Sequence, residues 1–552
     1  MSKSKLLPGR YPAPGTDPVA DAIRKRRGER GLTALDGNLL HFAEGARGYN
    51  DLLGALRTGG KVPGDLRELM ILRIAALNHA AYEWVQHEPI GRKEGLSTGQ
   101  LYSIRDIDTP LPPAKGLFTP LQEAALDFVD KLTLVSSSSF TVDHGVKYKD
   151  ALRKYVEGTG HSEVEELTNA LYSESSMLVA TYNLVSRFLV ATDVDGRAEQ
   201  QVPWPVERVE HNVTLPSFPK SEATHQIYAV TLRHPEQDAP WIVLSNSLLT
   251  STRMWGWIVP YLLDGGFHAS GGNSKRRYNI LLHDQRGHGR STLPPNPADS
   301  VRYHDDDSAR RSTIPLLAWD VQNLLVSDEI KEVIDGDSKG LKPIHAVIGV
   351  SQGGACAMAF GASYPTSSGS PDTTARKTKA IIACDTSART PAGNRDAWKE
   401  RVGLVFGGAG LDDAQSVGLS RLADVTLPRW FPAASPLPPS RAALVRKMVE
   451  ETPVEGFVEG ARALGSYDLL EGSTGEKLDM PGRPPLLEGR DLKVLLVAGS
   501  LDGNGKVGEG LKGLAEKWDR ADYKAVEGSG HLPMVDRPEV WCEVVGDWLG
   551  GL

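Results

Sequence analysis

The hydrophobic period of this 552-residue chain changes once, and that change constrains the fold more than any single motif. Up to about residue 192, apolar residues recur three and four apart, most clearly over 66–77, 121–134 and 164–190, the signature of amphipathic helices. Beyond about residue 240, short β-branched runs take over: WIVLSN (241–246), YNILLHD (278–284), IHAVIGV (344–350), AIIACD (380–385), KVLLVAG (493–499) and DYKAVEG (522–528), with helical stretches between them. Such alternation predicts a mostly parallel sheet covered by helices on both faces. The length also exceeds what one hydrophobic core fills, since cores stop growing near roughly 250–300 residues. The reading is therefore two domains, all-α over 1–204 and α/β over 205–552. The polar, Pro-containing passage 193–226 reads as a linker running into the second domain's first strand. The strandless gap at about 393–487 reads as a helical cap over the sheet's carboxyl edge, and two polar inserts, 268–277 and 367–378, as surface loops.

Charge and cysteine content narrow the function classes. With 62 basic against 70 acidic residues the formal net charge is −8, so the basic excess that a phosphate-backbone partner requires is missing and nucleic acid is excluded. No apolar run reaches the ~18 residues that span a bilayer. The first residues lack the apolar stretch of a signal peptide, so a cytoplasmic protein with no membrane partner is expected. Only three cysteines occur, Cys356, Cys384 and Cys542, and their spacing matches no metal site. They read as buried thiols in a reducing compartment, and neither metal nor cofactor is called for.

Gly349-Val350-Ser351-Gln352-Gly353 closes the run IHAVIGV and precedes the small-residue stretch GACAMAFGASY. Strand, sharp turn and helix are the setting in which a G-x-S-x-G match becomes a nucleophile elbow, because the strained turn leaves no room for a side chain two residues to either side. A serine hydroxyl attacks only after an imidazole takes its proton, so a histidine is needed late in the chain, and His531 in GSGHLPM follows the last strand. The acid that orients the imidazole belongs just past the penultimate strand, where Asp502 lies in AGSLDGN; Asp385, at the end of its own strand, is the less favoured alternative. Two amides must hold the oxyanion, and the backbone N–H groups of Leu248 and Gln352 are the candidates. His283 and His288, just before and within DQRGHGRS (284–291), read as turn-stabilising residues.

With SNSLLTSTRMW (245–255), DQRGHGRS, GVSQGG (349–354), DTSARTPAGNRDAWKERV (385–402) and RWF (429–431), the region from roughly 206 to 550 resembles the 3-oxoadipate enol-lactonases. It departs from them at Leu249, where that family usually carries glycine, and in the two inserts. The resemblance implies an α/β-hydrolase fold that opens a lactone through a serine acyl-enzyme. Substrates of that kind are dianions, so cationic side chains are expected under the cap: Arg253, Arg389, Arg401 and Arg429, with Trp398 and Trp430 in the same segments.

In the helical half, LRELMILRIAALNHAAYEWVQHEPIGRKEGLS (66–97) carries a second constellation. Glu83 and His87 are four apart, so a helix sets both on one face, and Glu68 approaches them if the two stretches form a hairpin. A carboxylate beside an imidazole is a usable proton relay; an exposed i,i+4 ion pair is the plain alternative. The segment resembles the carboxymuconolactone decarboxylase family, relatives of the alkyl hydroperoxidase D type proteins, over about 35–195. In the peroxidase-related branch a C-x-x-C pair precedes the histidine; here Ala80 and Glu83 hold those places, which excludes thiol redox chemistry. The resemblance implies acid/base work by Glu68, Glu83 and His87 in a helix-lined pocket, with His79 and Arg73 either pocket or helix-surface residues. Together the two resemblances imply a bifunctional enzyme of aromatic catabolism, similar to the β-ketoadipate pathway, that decarboxylates a carboxymuconolactone and hydrolyses the enol-lactone to a 3-oxo dicarboxylic acid. The partner is then a small-molecule lactone. Homo-oligomerisation through the helical domain is also implied, and on the alternative reading that is the domain's whole role, beside a hydrolase for another lactone or ester.

Overall fold

A computed structural model describes residues 6–552 except 112, 114, 135–139, 220, 237, 266–275, 296–309, 337, 339, 365–374, 408–409, 473–484 and 488–491. The chain divides into two compact units, Met1–Pro205 and Val206–Leu552.

The first unit has no strand among its described residues. Its central element is the helix Gly64–Leu77, where Leu66 and all of 68–76 are buried. A helix this apolar on every side has to be enclosed, and it packs against the helices Ala81–Lys93, Thr98–Arg105, Pro120–Thr133 and Val164–Ala191. Arg73 is buried in that helix as a staple, which corrects both readings given for it. Its Nε and Nη2 reach the Asp130 carboxylate at 2.7 and 2.8 Å, while Nη1 donates to the carbonyls of Ile104 and Asp106 at 3.0 Å. His79 is exposed in the turn that follows, at φ 54°. That turn folds Ala81–Lys93 back along Gly64–Leu77, and Glu68 thereby meets His87.

In the second unit eight strands form one sheet: β1 (Glu207–Pro216), β2 (Thr224–Arg233), β3 (Trp241–Ser245), β4 (Asn279–His283), β5 (Ile344–Val350), β6 (Thr378–Cys384), β7 (Lys493–Gly499) and β8 (Ala521–Val526), in the order β1-β2-β4-β3-β5-β6-β7-β8. The pairs β1–β2 and β2–β4 are antiparallel and the rest parallel. β3, β4 and β5 are buried at every position, as strands covered on both faces must be. The passage 193–226 is not a linker throughout. β1 lies within it, and only Val213 and Leu215 of its ten residues are buried. An edge strand that turns so few side chains inward carries too little apolar alternation to stand out from a loop.

Most of both polar inserts, 268–275 and 367–374, lies outside the described residues. The end of the second is no surface loop: Arg376 is fully buried, its Nη1 and Nη2 at 2.8 and 2.7 Å from the Asp335 carboxylate. Between β6 and β7 run the helices Asn394–Phe406, Leu419–Trp430, Pro439–Glu451 and Val454–Leu464. All three cysteines are buried and free. Among the described residues no helix is long and apolar enough to cross a membrane.

Candidate active sites

Ser351 occupies the one-residue turn between β5 and the helix Gln352–Ser363, at φ 56° and ψ −117°. A non-glycine residue at positive φ is strained, and such strain persists only where the surroundings enforce it. They do here: a Cβ at position 349 would strike the Gly353 carbonyl, and one at 353 the carbonyl of Ser245. The Ser351 amide is also held, donating to the Cys384 carbonyl at 2.8 Å. Among the described residues no hydrogen bond occupies the backbone N–H of Leu248 or of Gln352. Gln352 opens its helix, where the first amides lack intrahelical acceptors. Leu249 stands in the adjoining turn at φ 66° and is buried, a backbone conformation that glycine adopts without strain.

His531 and Asp502 come from the segments after β8 and β7, and Nδ1 of the ring lies 2.8 Å from Asp502 Oδ2. That contact places the proton of a neutral ring on Nδ1 and leaves Nε2 as the basic nitrogen. Two further contacts brace the imidazole. Its backbone N–H donates to the Trp430 carbonyl at 2.8 Å, and its ring stacks on the Trp430 indole with centroids 6.0 Å apart. Burial raises the Asp502 carboxyl, but His531, Asp385 and Arg429 outweigh it and leave Asp502 below the ordinary carboxylate range.

One cavity of about 800 Å³ is lined by Leu248, Ser351, Asp502 and His531, and also by Arg389, Trp398, Arg401, Arg429 and Trp430. Arg401 and Arg429 lie over the Trp398 ring at 4.6 and 5.9 Å, and neither has a carboxylate at ion-pair distance among the described residues. Burial, reinforced by the neighbouring Arg401, brings Arg429 down to about 10, so both remain cationic near neutrality. Arg389 lines the cavity's mouth, two-thirds exposed and 3.8 Å from Asp468. Arg253 is a correction. It does not line this cavity, and its guanidinium pairs with Glu451 at 3.1 Å on the surface. His283 and His288 are buried away from the cavity, and burial pushes both down to about 4, so they are neutral.

The helical unit encloses a smaller cavity of about 230 Å³, lined among others by Arg57, Arg67, Glu68, Glu83 and His87. His87 Nδ1 lies 2.7 Å from Glu68 Oε2, and Arg57 Nη2 lies 3.2 Å from His87 Nε2. A guanidinium can only donate, so Nε2 accepts, Nδ1 carries the proton, and the ring is neutral. Burial lowers His87 in the same direction. Arg57 in turn donates from Nε to the Tyr182 hydroxyl at 2.8 Å. Glu83 is 2 % exposed, and neither of its carboxyl oxygens has a hydrogen-bond partner. Burial first, and the charge of Glu68 with it, raises Glu83 well above the ordinary carboxylate range despite Arg57. Both effects favour the protonated carboxyl over the carboxylate.

Arg57 is the functional candidate that the motifs missed. It sits on a wide turn, Ala55–Gly59, thirty residues before His87, and nothing in its local sequence marks it. Asp385, the alternative triad acid, lines the same cavity with one carboxyl oxygen within 4.8 Å of both Asp502 and a His531 ring nitrogen, but the hydrogen bond to His531 Nδ1 belongs to Asp502.

A β-strand-to-helix elbow bearing a serine, with an acid and a histidine after the two last strands, defines a hydrolase of the α/β type. The chain belongs to the alpha/beta hydrolase family, whose model matches residues 242–544, and residues 43–129 match the carboxymuconolactone decarboxylase family. Two 3-oxoadipate enol-lactonases of Acinetobacter baylyi are similar in sequence. One is 24 % identical over 56 % of this chain and 88 % of its own length, the other 23 % identical over 58 % and 92 %. Among solved structures, the enol-lactonase from Burkholderia xenovorans LB400 is similar at 23 % identity and TM-score 0.41, covering 59 % of this chain and 96 % of that one. A thermophilic esterase from Thermogutta terrifontis is similar at 18 % identity and TM-score 0.43, covering 61 % and 98 %.

Proposed function

We propose that this chain decarboxylates a carboxymuconolactone in its helical unit and hydrolyses the resulting enol-lactone in its α/β unit. The observation that carries the second step is the shared cavity. Ser351, at a strained elbow, lies in one lining with the His531–Asp502 pair and with two guanidinium groups that have no carboxylate partner among the described residues. His531 takes the serine proton on Nε2, and Ser351 Oγ adds to the lactone carbonyl. The free amides of Leu248 and Gln352 receive the oxyanion. Collapse expels the ring oxygen as an enolate, which is protonated to the ketone, and water activated by His531 then releases the 3-oxo dicarboxylic acid. Arg401 and Arg429 hold the carboxylate remote from the reacting carbonyl.

For the first step, the C–CO₂ bond breaks and its electron pair enters the conjugated lactone as a dienolate. The carbanionic carbon then needs a proton. Glu83 is the donor, because burial raises it well above the ordinary carboxylate range and neither of its oxygens has a hydrogen-bond partner among the described residues. Arg57 and Arg67 supply positive charge to the departing and remaining carboxylates, and His87, locked neutral between Glu68 and Arg57, holds Arg57 in place.

The test is to incubate the purified chain with 4-carboxymuconolactone and with its 3-carboxy isomer while following carbon dioxide and ring opening. A Ser351→Ala chain should release carbon dioxide and accumulate enol-lactone. A Glu83→Gln chain should open supplied enol-lactone and release no carbon dioxide. Turnover of simple esters alone, with no carbon dioxide from either lactone, would reduce the helical unit to an assembly module and end the two-step reading.

A further inference from the structure

Asp385 follows β6 at φ 46° and is 2 % exposed, so it too is a strained, buried residue. Its Oδ1 accepts the backbone N–H of Gly499 at 2.8 Å. Its Oδ2 is buried with no donor to accept from. One carboxyl oxygen each of Asp385 and Asp502 and a ring nitrogen of His531 lie within 4.8 Å of one another. Two carboxylates facing a single imidazole cannot both stay ionised in a buried place. His531 and then Arg429 lower Asp502, whereas no basic group lowers Asp385. The proton therefore rests on Asp385, and Oδ2, which lacks a donor while Oδ1 accepts from Gly499, is the oxygen free to carry it.

We propose that Asp385 is a positioning residue of the hydrolase site: a buried carboxylic acid whose Oδ2 hydroxyl donates to Asp502, fixing the oxygen that Asp502 turns toward His531 and tempering the charge it offers the imidazole. The proposal rests on the hydrolase reading above and adds a fourth member behind the Ser351, His531 and Asp502 set. The surroundings agree with it. Burial, then the charge of Asp502 and that of Asp536, all hold Asp385 above the ordinary carboxylate range, against the pull of the Gly499 amide. Of the other titratable groups facing it, Tyr523 and Cys384 are both raised, first by burial, so neither ionises near neutrality. Asp536 is occupied by Ser529, Gly530 and Ser435.

Asp385→Leu removes the donor and leaves Asp502 a stronger base. The acidic limb of the kcat/KM profile should move up by about one pH unit, with kcat falling about tenfold. Asp385→Asn restores a donor in the same place and should bring limb and kcat back to within about threefold of the wild type, while Asp502→Asn costs on the order of 10⁴ in kcat. Rates of hydrolysis of 4-nitrophenyl acetate and of labelling by a fluorophosphonate read Ser351 reactivity without the natural substrate. Loss of both rates in the wild type would sink the hydrolase reading itself. With those rates intact, the proposal fails if Asp385→Asn lowers the acidic limb, because Asp385 is then ionised. It also fails if Asp385→Asn costs as much as Asp502→Asn, because Asp385 is then the triad acid. Where the leucine variant does not fold, the asparagine variant decides, supplemented by the loss of one carboxylic-acid C=O infrared band relative to the wild type.

Discussion

The two units hold the same dyad in different company. In each, an imidazole Nδ1 meets a carboxylate, 2.8 Å away at His531–Asp502 and 2.7 Å at His87–Glu68, and in each burial raises a second carboxyl nearby well above the ordinary carboxylate range. What differs is the far ring nitrogen. At His531 no hydrogen bond occupies it among the described residues, and the ring shares its cavity lining with Ser351 and Leu248. At His87 it is taken by the Arg57 guanidinium, and no serine or cysteine lines that cavity among the described residues. A carboxylate–imidazole pair is thus not an activity in itself. On the proposed reading, the pair that faces a hydroxyl makes a nucleophile, while the one that faces a guanidinium supports a cation and leaves the proton chemistry to Glu83.

The hardest test of that contrast removes one member from each side. Ser351→Ala should cost roughly a millionfold in lactone opening, as loss of a nucleophile that acts with a triad does, and should leave carbon dioxide release unchanged. A progress curve with the carboxylactone, read for carbon dioxide and for acid product, checks both. Loss of decarboxylation in the same variant would mean that the two chemistries share one site.

Glu83→Gln should cost about 10²–10⁴ in decarboxylation, the range of a positioned general acid. Enol-lactone hydrolysis should not change. His87→Gln sharpens the comparison, because the amide oxygen still accepts from Arg57 and an imidazole that only supports Arg57 is replaceable. A loss smaller than that of Glu83→Gln is expected, and a loss as large would make His87 the proton donor after all.

This contrast was only half legible in the sequence. The elbow, the late histidine and the aspartate after β7 are each tied to a strand end, so their spacing along the chain already orders them in space. Glu83 and His87 share a helix face, and a short hairpin brings Glu68 to them. Arg57 and the Asp385–Asp502 contact had no such local mark. Each depends on side chains that converge from elements far apart in sequence, and neither arginine nor aspartate is unusual on its own. β1 was hidden for a related reason: two inward side chains in ten leave no period to read. Arg253 erred the opposite way, since a plausible segment placed it near the site while its side chain turns outward to Glu451.

The anion-binding groups give a smaller effect and separate the sites by substrate. Arg429→Met should raise KM for the enol-lactone about 10- to 100-fold with little change in kcat, because a guanidinium that holds a remote carboxylate binds ground and transition states alike. Arg57→Met should raise KM for the carboxylactone in the same range and leave the enol-lactone untouched. Both follow from steady-state kinetics on each substrate. An equal response of both substrates to either variant would erase the distinction between the two cavities.

The smallest expected effect is on stability, and it runs against activity. In the folded chain the Glu83 carboxyl is raised above its ordinary value of 4.5 by burial. A raised acid contributes stability that is fully present below the unfolded value and is lost as pH rises through the folded one, because the unfolded chain releases the proton first. Glutamine in its place does not titrate, and since neither oxygen of Glu83 accepts a hydrogen bond, the amide forfeits none. Glu83→Gln should therefore melt with the wild type near pH 4 and above it at pH 8. The gap should open over the interval where the unfolded carboxyl is ionised and the folded one is not. Each kcal/mol so recovered moves the transition of a unit of this size by about 2–4 °C. Calorimetry at the two pH values reads it, and a gap that closes as pH rises would mean that Glu83 is ionised in the folded chain, which would remove the acid from the helical site.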